Sequence, residues 1–152
     1  GATGDLAQRM LLPSLYALER DGLLPEGLRV LGTARSAMDA AGFRANVGDS
    51  VTKALAAGEC NEAALERLLG RCDYLPASVD DPAALAALAA KIGVMRGDGD
   101  VLVHLSTAPK FYGPICEALH AGGVADSRMR VMLEKPIGHD LASSIAINES
   151  VA

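Results

Sequence analysis

Val101-Leu-Val-His-Leu-Ser-Thr-Ala-Pro109 is a near-continuous apolar run followed by small residues and a proline. Unbroken apolarity, rather than strict alternation, belongs to a strand whose two faces are both covered by helices, as in a parallel sheet. Downstream, a helix is expected from about Phe111 to His120, closed by Gly122-Gly123. Arg130-Val-Met-Leu-Glu134 follows as a strand, and Asp140 is placed to cap a last helix that runs to the end of the chain.

Working upstream, Asp81-Pro82 starts a helix, because the Asp side chain accepts from free amides and Pro suits the first helical position; Leu85, Leu88, Ala89 and Ile92 carry it to Gly93. Cys72 to Leu75, stopped by Pro76, reads as a weak strand. Asn61 caps a short helix with Leu65, Leu68 and Leu69 on one face and Gly70 at its end. Ser36 to Ala57 reads as a long helical region, and Leu28 to Thr33 as a strand. Leu6, Met10, Leu11, Leu15 and Leu18 recur at helical spacing over residues 4–20, with Pro13 expected to kink or restart that helix and Asp21-Gly22 to stop it. Strands and helices therefore alternate, which implies βαβ units with right-handed crossovers. The expected fold class is α/β, a doubly wound parallel sheet of Rossmann type, with residues 1–152 as one domain. Its first strand is expected ahead of Gly1, so the chain reads as truncated at both ends.

The composition agrees. Half of the 152 residues are hydrophobic, enough for a real core, and 27 alanines and 16 glycines against five Phe and Tyr residues suit closely packed helices and turns. No stretch approaches the roughly 20 apolar residues of a membrane span. A net charge of −5 argues against a nucleic-acid binder, whose affinity comes from Lys and Arg on phosphates. Cys60, Cys72 and Cys116 show no CxxC spacing and read as buried small hydrophobes in a reducing compartment. No secretory leader is legible, and the cytoplasm is the expected location.

In open α/β sheets ligands bind beyond the carboxyl ends of the strands, and four segments fall there. Gly1-Ala-Thr-Gly-Asp-Leu-Ala7 is a glycine-rich turn entering a helix, either a phosphate cradle or an ordinary helix start. Gly32-Thr-Ala-Arg-Ser36 places Arg35, and no acid, where an adenosine ribose would lie. An Arg there accommodates the 2′-phosphate of NADP, with Ser36 adding a hydroxyl; the alternative is a solvated surface Arg. Leu105-Ser-Thr-Ala-Pro-Lys-Phe-Tyr112 leaves room for a flat ring that Tyr112 lines, unless Tyr112 packs against the first helix. Glu134-Lys-Pro-Ile-Gly138 puts Lys135 beside Pro136, a position open to a cis bond, as a cation at the sheet edge or as a surface Lys in a Pro-Gly turn. His104, His120 and His139 lack metal-like spacing. His104 reads as a satisfied core residue, His120 as a helix-end residue, and His139 as lying beside the Lys135 loop without an evident partner.

Taken in order and spacing, Gly1-Ala-Thr-Gly-Asp-Leu-Ala-Gln-Arg-Met-Leu-Leu-Pro13, Gly32-Thr-Ala-Arg35, Leu105-Ser-Thr-Ala-Pro109 with Tyr112, and Glu134-Lys-Pro-Ile-Gly-His-Asp140 resemble the coenzyme domain of the glucose-6-phosphate dehydrogenase family. The resemblance runs through the whole chain. It implies oxidation of glucose 6-phosphate at C1 to 6-phosphogluconolactone, with hydride passed to NADP, the first step of the oxidative pentose phosphate pathway. It also implies that Gly1, Thr3, Gly4, Asp5 and Leu6 form the pyrophosphate turn, that Arg35 meets the 2′-phosphate, and that Thr107, Ala108 and Tyr112 line the nicotinamide side. Lys135, the one catalytic residue carried over, would touch both coenzyme and sugar phosphate.

The chain departs from the family pattern at Met10, where a Lys is frequent, and at Ile137, where Phe is usual. The family's catalytic histidine and most of its sugar site belong to a later segment, through which a homo-oligomer is also expected to form. By itself the stretch is therefore expected to be inactive. Two rivals are a sugar dehydrogenase of the glucose-fructose oxidoreductase type, which GxxGDLA disfavours, and a non-enzymatic NADP-sensing domain.

Overall fold

The computed structural model describes residues 1–56, 58–135, 137–138 and 140–151. The chain forms two compact units, Gly1–Pro76 and Ala77–Ala152.

In the first unit a π-helical turn, Ala7–Leu11, runs into α1 (Leu12–Arg20). Pro13 lies in the first turn of α1, where its missing N–H removes a bond and the helix changes register, the restart expected from the sequence. β1 (Val30–Gly32), α2 (Ala40–Ala54), α3 (Glu62–Arg71) and β2 (Cys72–Tyr74) follow. β1 and β2 are parallel, with Val30 opposite Cys72 and Gly32 opposite Tyr74. Leu12, Tyr16, Phe43, Val47, Val51, Ala64, Leu68, Cys72 and Tyr74 form the core.

The helix expected from Ser36 begins only at Ala40, because the Asp39 carboxylate accepts the Gly42 N–H at 2.8 Å and fixes the start there. It ends at Ala54, and Ala57, the expected end, lies outside the described residues. Asn61 does cap α3, accepting from Ala64 N at 3.0 Å, but the helix passes Gly70 to end on Arg71. Arg71 then donates Nη1 to the carbonyls of Pro25, Glu26 and Leu28. Its Nε lies 2.9 Å from the Glu19 carboxylate, which is 5% exposed and also takes Arg67 Nε at 2.9 Å. Two guanidinium groups thus compensate one buried carboxylate at the base of the segment leading to β1.

The second unit holds α4 (Pro82–Arg96), β3 (Val101–Leu105), a 3₁₀ turn (Pro109–Phe111), α5 (Tyr112–Ala121), β4 (Met129–Leu133) and α6 (Leu141–Val151). Asp81 caps α4 through Ala83 N and Ala84 N, and Asp140 caps α6 through Ser143 N at 2.8 Å, both as expected. α4 continues three residues past Gly93. β3 and β4 are parallel from Val101 opposite Met129 to Leu105 opposite Leu133. The core is Ala89, Leu119 and Val124, backed by Ile92, Val103, Ile115 and Met129.

Within the second unit taken by itself, helices cover one face of β3 rather than the expected two. Leu102 is 63% and Met132 46% exposed, because α4 and α5 supply apolar side chains only to the face bearing Val103. Among the described residues the strands pair as two two-stranded sheets, β1-β2 and β3-β4. Alternation of strands and helices dictates parallel pairing but not how many strands share one ladder. Each unit carries a parallel pair joined through helices, and the fold is α/β of Rossmann type.

Candidate functional site

In the first unit the glycine turn is closed on itself and tied to the segment that follows β1. Gly4 N–H donates to Gly1 O at 3.0 Å, Gln8 N–H to Gly4 O at 3.0 Å, and the Gln8 side-chain amide to Thr3 O at 3.2 Å. A Cβ at Gly4 would come within 3.1 Å of Gly1 O, so the turn is too tight for a larger residue without adjustment. Gln8 is where the helix first bonds back to a turn carbonyl; Asp5, Leu6 and Ala7 ahead of it occupy the first turn, where a helix has no internal acceptor to offer. Gly4 and Asp5 are exposed, and Asp5 makes only a loose pair with Arg9 at 3.5 Å. The turn therefore presents amides at the positive end of a helix, the donor set an anionic pyrophosphate requires.

Ala2 N–H donates to Thr33 O at 2.8 Å, and the Thr3 and Ser36 hydroxyls lie 3.4 Å apart. These contacts bring Gly1, Thr3, Gly4 and Asp5 together with Arg35 and Ser36. Arg35 is exposed and makes no hydrogen bond or ion pair with the described residues, so its guanidinium is available to an anion. Thr33 Oγ1 is buried with no hydrogen-bond partner among them. The residues of this region fit a phosphorylated nucleotide. Met10, at the usual lysine position, is 59% exposed.

In the second unit Thr107 is half-buried and Ala108 exposed after β3, and Phe111 N–H donates to Ala108 O to close the 3₁₀ turn. Tyr112 is 1% exposed, and its hydroxyl donates to Glu134 O at 3.1 Å. It thus supports the segment carrying Lys135 from beneath. His104 Nε2 lies 2.9 Å from the Glu134 carboxylate, so this histidine is satisfied, as expected, and its partner comes from the neighbouring strand's end. Lys135 is exposed and free of described partners. Pro136 and His139 lie outside the described residues. Gly138 has φ +148°, and a Cβ there would fall 2.6 Å from Ser144 Oγ, so only glycine suits the position.

Of the three cysteines only Cys72 is fully buried. Burial pushes its thiol up to about 11, while Cys60, at the edge of the first core, and Cys116 are half-buried, correcting the reading of all three as interior. His120 is exposed in the last turn of α5, as expected of a helix-end residue. The sequence reading missed Tyr74, whose hydroxyl lies against the Arg35 segment, and the link between His104 and Glu134. An isolated aromatic at a strand end was the only local hint for the first.

No described helix is long and apolar enough to cross a membrane. Compared with known proteins, residues 1–152 match the family described as "Glucose-6-phosphate dehydrogenase, NAD binding domain". The chain is 41% identical over 152 residues to the glucose-6-phosphate 1-dehydrogenase of Zymomonas mobilis, and 39% identical over 154 residues to that of Mycolicibacterium smegmatis, in each case with 99% of this chain aligned. It spans 31% of the length of either relative. The crystal structure of glucose-6-phosphate 1-dehydrogenase from Mycobacterium avium superposes with a TM-score of 0.87 at 33% identity, covering 99% of this chain and 32% of that one.

Proposed function

We propose, because the chain belongs to the glucose-6-phosphate dehydrogenase family through its NAD-binding domain, that it is the coenzyme-binding part of an enzyme oxidising glucose 6-phosphate to 6-phosphogluconolactone, with NADP as the preferred coenzyme. When bound, NADP supplies the hydride acceptor. Residues 1–152 then act as one dinucleotide-binding domain, and the remaining length seen in the relatives supplies the acid/base residue, most of the sugar site and the contacts of a homo-oligomer. The enzyme is cytoplasmic on this reading.

The amides around Gly1, Thr3, Gly4, Asp5 and Leu6 hold the pyrophosphate by partial positive charge and direct donation. Arg35 grips the ribose 2′-phosphate with charge-assisted bonds, and the Ser36 hydroxyl adds one more. Thr107 and Ala108 line the nicotinamide side, with Tyr112 behind them. Lys135 is the catalytic residue of this stretch: its ammonium meets coenzyme and sugar phosphate, and orients the sugar so that C1 faces the acceptor.

The observation behind this reading is the exposed Arg35, unpaired among the described residues, on a segment bonded to the glycine turn through Ala2 and Thr33 and through the Thr3 and Ser36 hydroxyls. It is tested in the full-length protein by following reduced nicotinamide on addition of glucose 6-phosphate, with NADP and NAD in parallel. Turnover favouring NADP is the expected result. Coenzyme binding without turnover would remove the substrate and leave the sensor or another sugar dehydrogenase in its place.

A further inference from the structure

The Tyr74 ring stands at the end of β2, 5% exposed, with its centroid 5.2 Å from that of Phe43. Phe43 in turn meets Gly32 with the tip of its ring, where an added Cβ would fall 2.4 Å from Cζ. The Tyr74 hydroxyl emerges from this stack beneath the segment after β1, 2.8 Å from Ser36 O and 3.2 Å from Ala34 O. One proton is thus shared between the two carbonyls that flank Arg35. Burial raises the phenol above its ordinary value, so the hydroxyl stays a neutral donor. The guanidinium itself has no described partner, so the backbone on either side is what fixes where it starts.

We propose that Tyr74 is a positioning residue for coenzyme choice: by clamping the carbonyls of Ala34 and Ser36 it fixes the backbone from which Arg35 reaches the 2′-phosphate, and so favours NADP over NAD. This rests on the reading of Arg35 given above. A bound phosphate touches Arg35 and Ser36, while the hydroxyl beneath them acts only through that backbone, and a coenzyme lacking the 2′-phosphate gains little from it.

The test uses the full-length protein and four forms: unaltered, Tyr74→Phe, Arg35→Ala and the double variant, with NADP and NAD binding measured by calorimetry. Tyr74→Phe keeps the ring stack and removes only the hydroxyl, and a thermal melt of each form verifies folding. NADP should weaken by about three- to tenfold in Tyr74→Phe, the scale of one hydrogen bond, and NAD by less than about twofold. In the Arg35→Ala background the same change should add nothing for NADP, because the effect passes through Arg35. Equal weakening of both coenzymes, or an undiminished effect on NADP without Arg35, overturns the role of Tyr74. If Arg35→Ala itself leaves NADP binding intact, the coenzyme reading of Arg35 fails first, and that outcome is distinct from a failure of Tyr74 alone.

Discussion

Arg35 and Lys135 are both exposed cations a few residues beyond a strand, yet the two units hold them differently. Arg35 sits on a segment fixed on each side: Tyr74 bonds the carbonyls before and after it, and Thr33 accepts a backbone N–H from the glycine turn. Lys135 is preceded by Glu134, whose carbonyl takes the Tyr112 hydroxyl and whose carboxylate meets His104. After it, Gly138 and the Asp140 cap close the loop onto α6. In both cases a buried tyrosine presents its polar tip to a backbone carbonyl, which leaves the cation side chain unspent for a ligand. The difference is that the Arg35 segment is braced by one side chain and by a backbone bond from the glycine turn, whereas the described bonds to Glu134, just before Lys135, come from side chains alone.

The largest expected effect is at the less braced cation. Lys135→Ala in the full-length protein should lower kcat/KM for glucose 6-phosphate by about 100-fold or more, since on the proposed reading the sugar phosphate and the coenzyme lose its ammonium; a change of only a few fold, measured by steady-state kinetics, would detach Lys135 from the chemistry. Gly138→Ala should come next, destabilising by about 1–3 kcal/mol because of its positive φ and the contact with Ser144. Denaturant melts check this, and a neutral result would show that the loop has room the geometry denies it.

Tyr112→Phe should cost about 1 kcal/mol in stability and raise the KM for substrate while keeping the buried ring, because it frees only the Glu134 carbonyl. The smallest effect concerns acid. Hydrogen bonds from Arg96, and then from the Arg128 amide, hold the Asp126 carboxyl down to about 2. Such a depressed group gives stability in full above the ordinary carboxylate value near 4, and that stability is lost as pH falls through about 2. Asp126→Asn should therefore lower Tm at neutral pH and flatten its decline between about pH 4 and 2; an unchanged acid limb would mean that the Arg96 pair does not contribute to it.

Features set by residues close in sequence were legible in advance. Asn61, Asp81 and Asp140 each cap the helix they precede, and β1 to β4 fall within a residue or two of the apolar runs at Leu28, Cys72, Val101 and Arg130. Gly1 to Asp5 and Arg35 with Ser36 were singled out separately, and the fold joins them through Ala2, Thr33 and the Thr3 hydroxyl. What escaped notice depends on partners far apart in the chain. Glu19 reads as one more acidic surface residue until Arg67 and Arg71 arrive from α3. The partners of Tyr74 and His104 are revealed only when β1 and β4 place the Arg35 and Glu134 segments beside them. The open face of β3 was missed because a continuous apolar run reports the composition of both faces without saying what covers each.

The part of Arg35 in coenzyme choice is read from one comparison: kcat/KM for NADP and for NAD in the full-length protein and in its Arg35→Ala variant. Arg35→Ala should lose about 1.5–3 kcal/mol of transition-state stabilisation with NADP, the scale of hydrogen bonds to a charged group, and almost none with NAD. Equal losses with both coenzymes would contradict it.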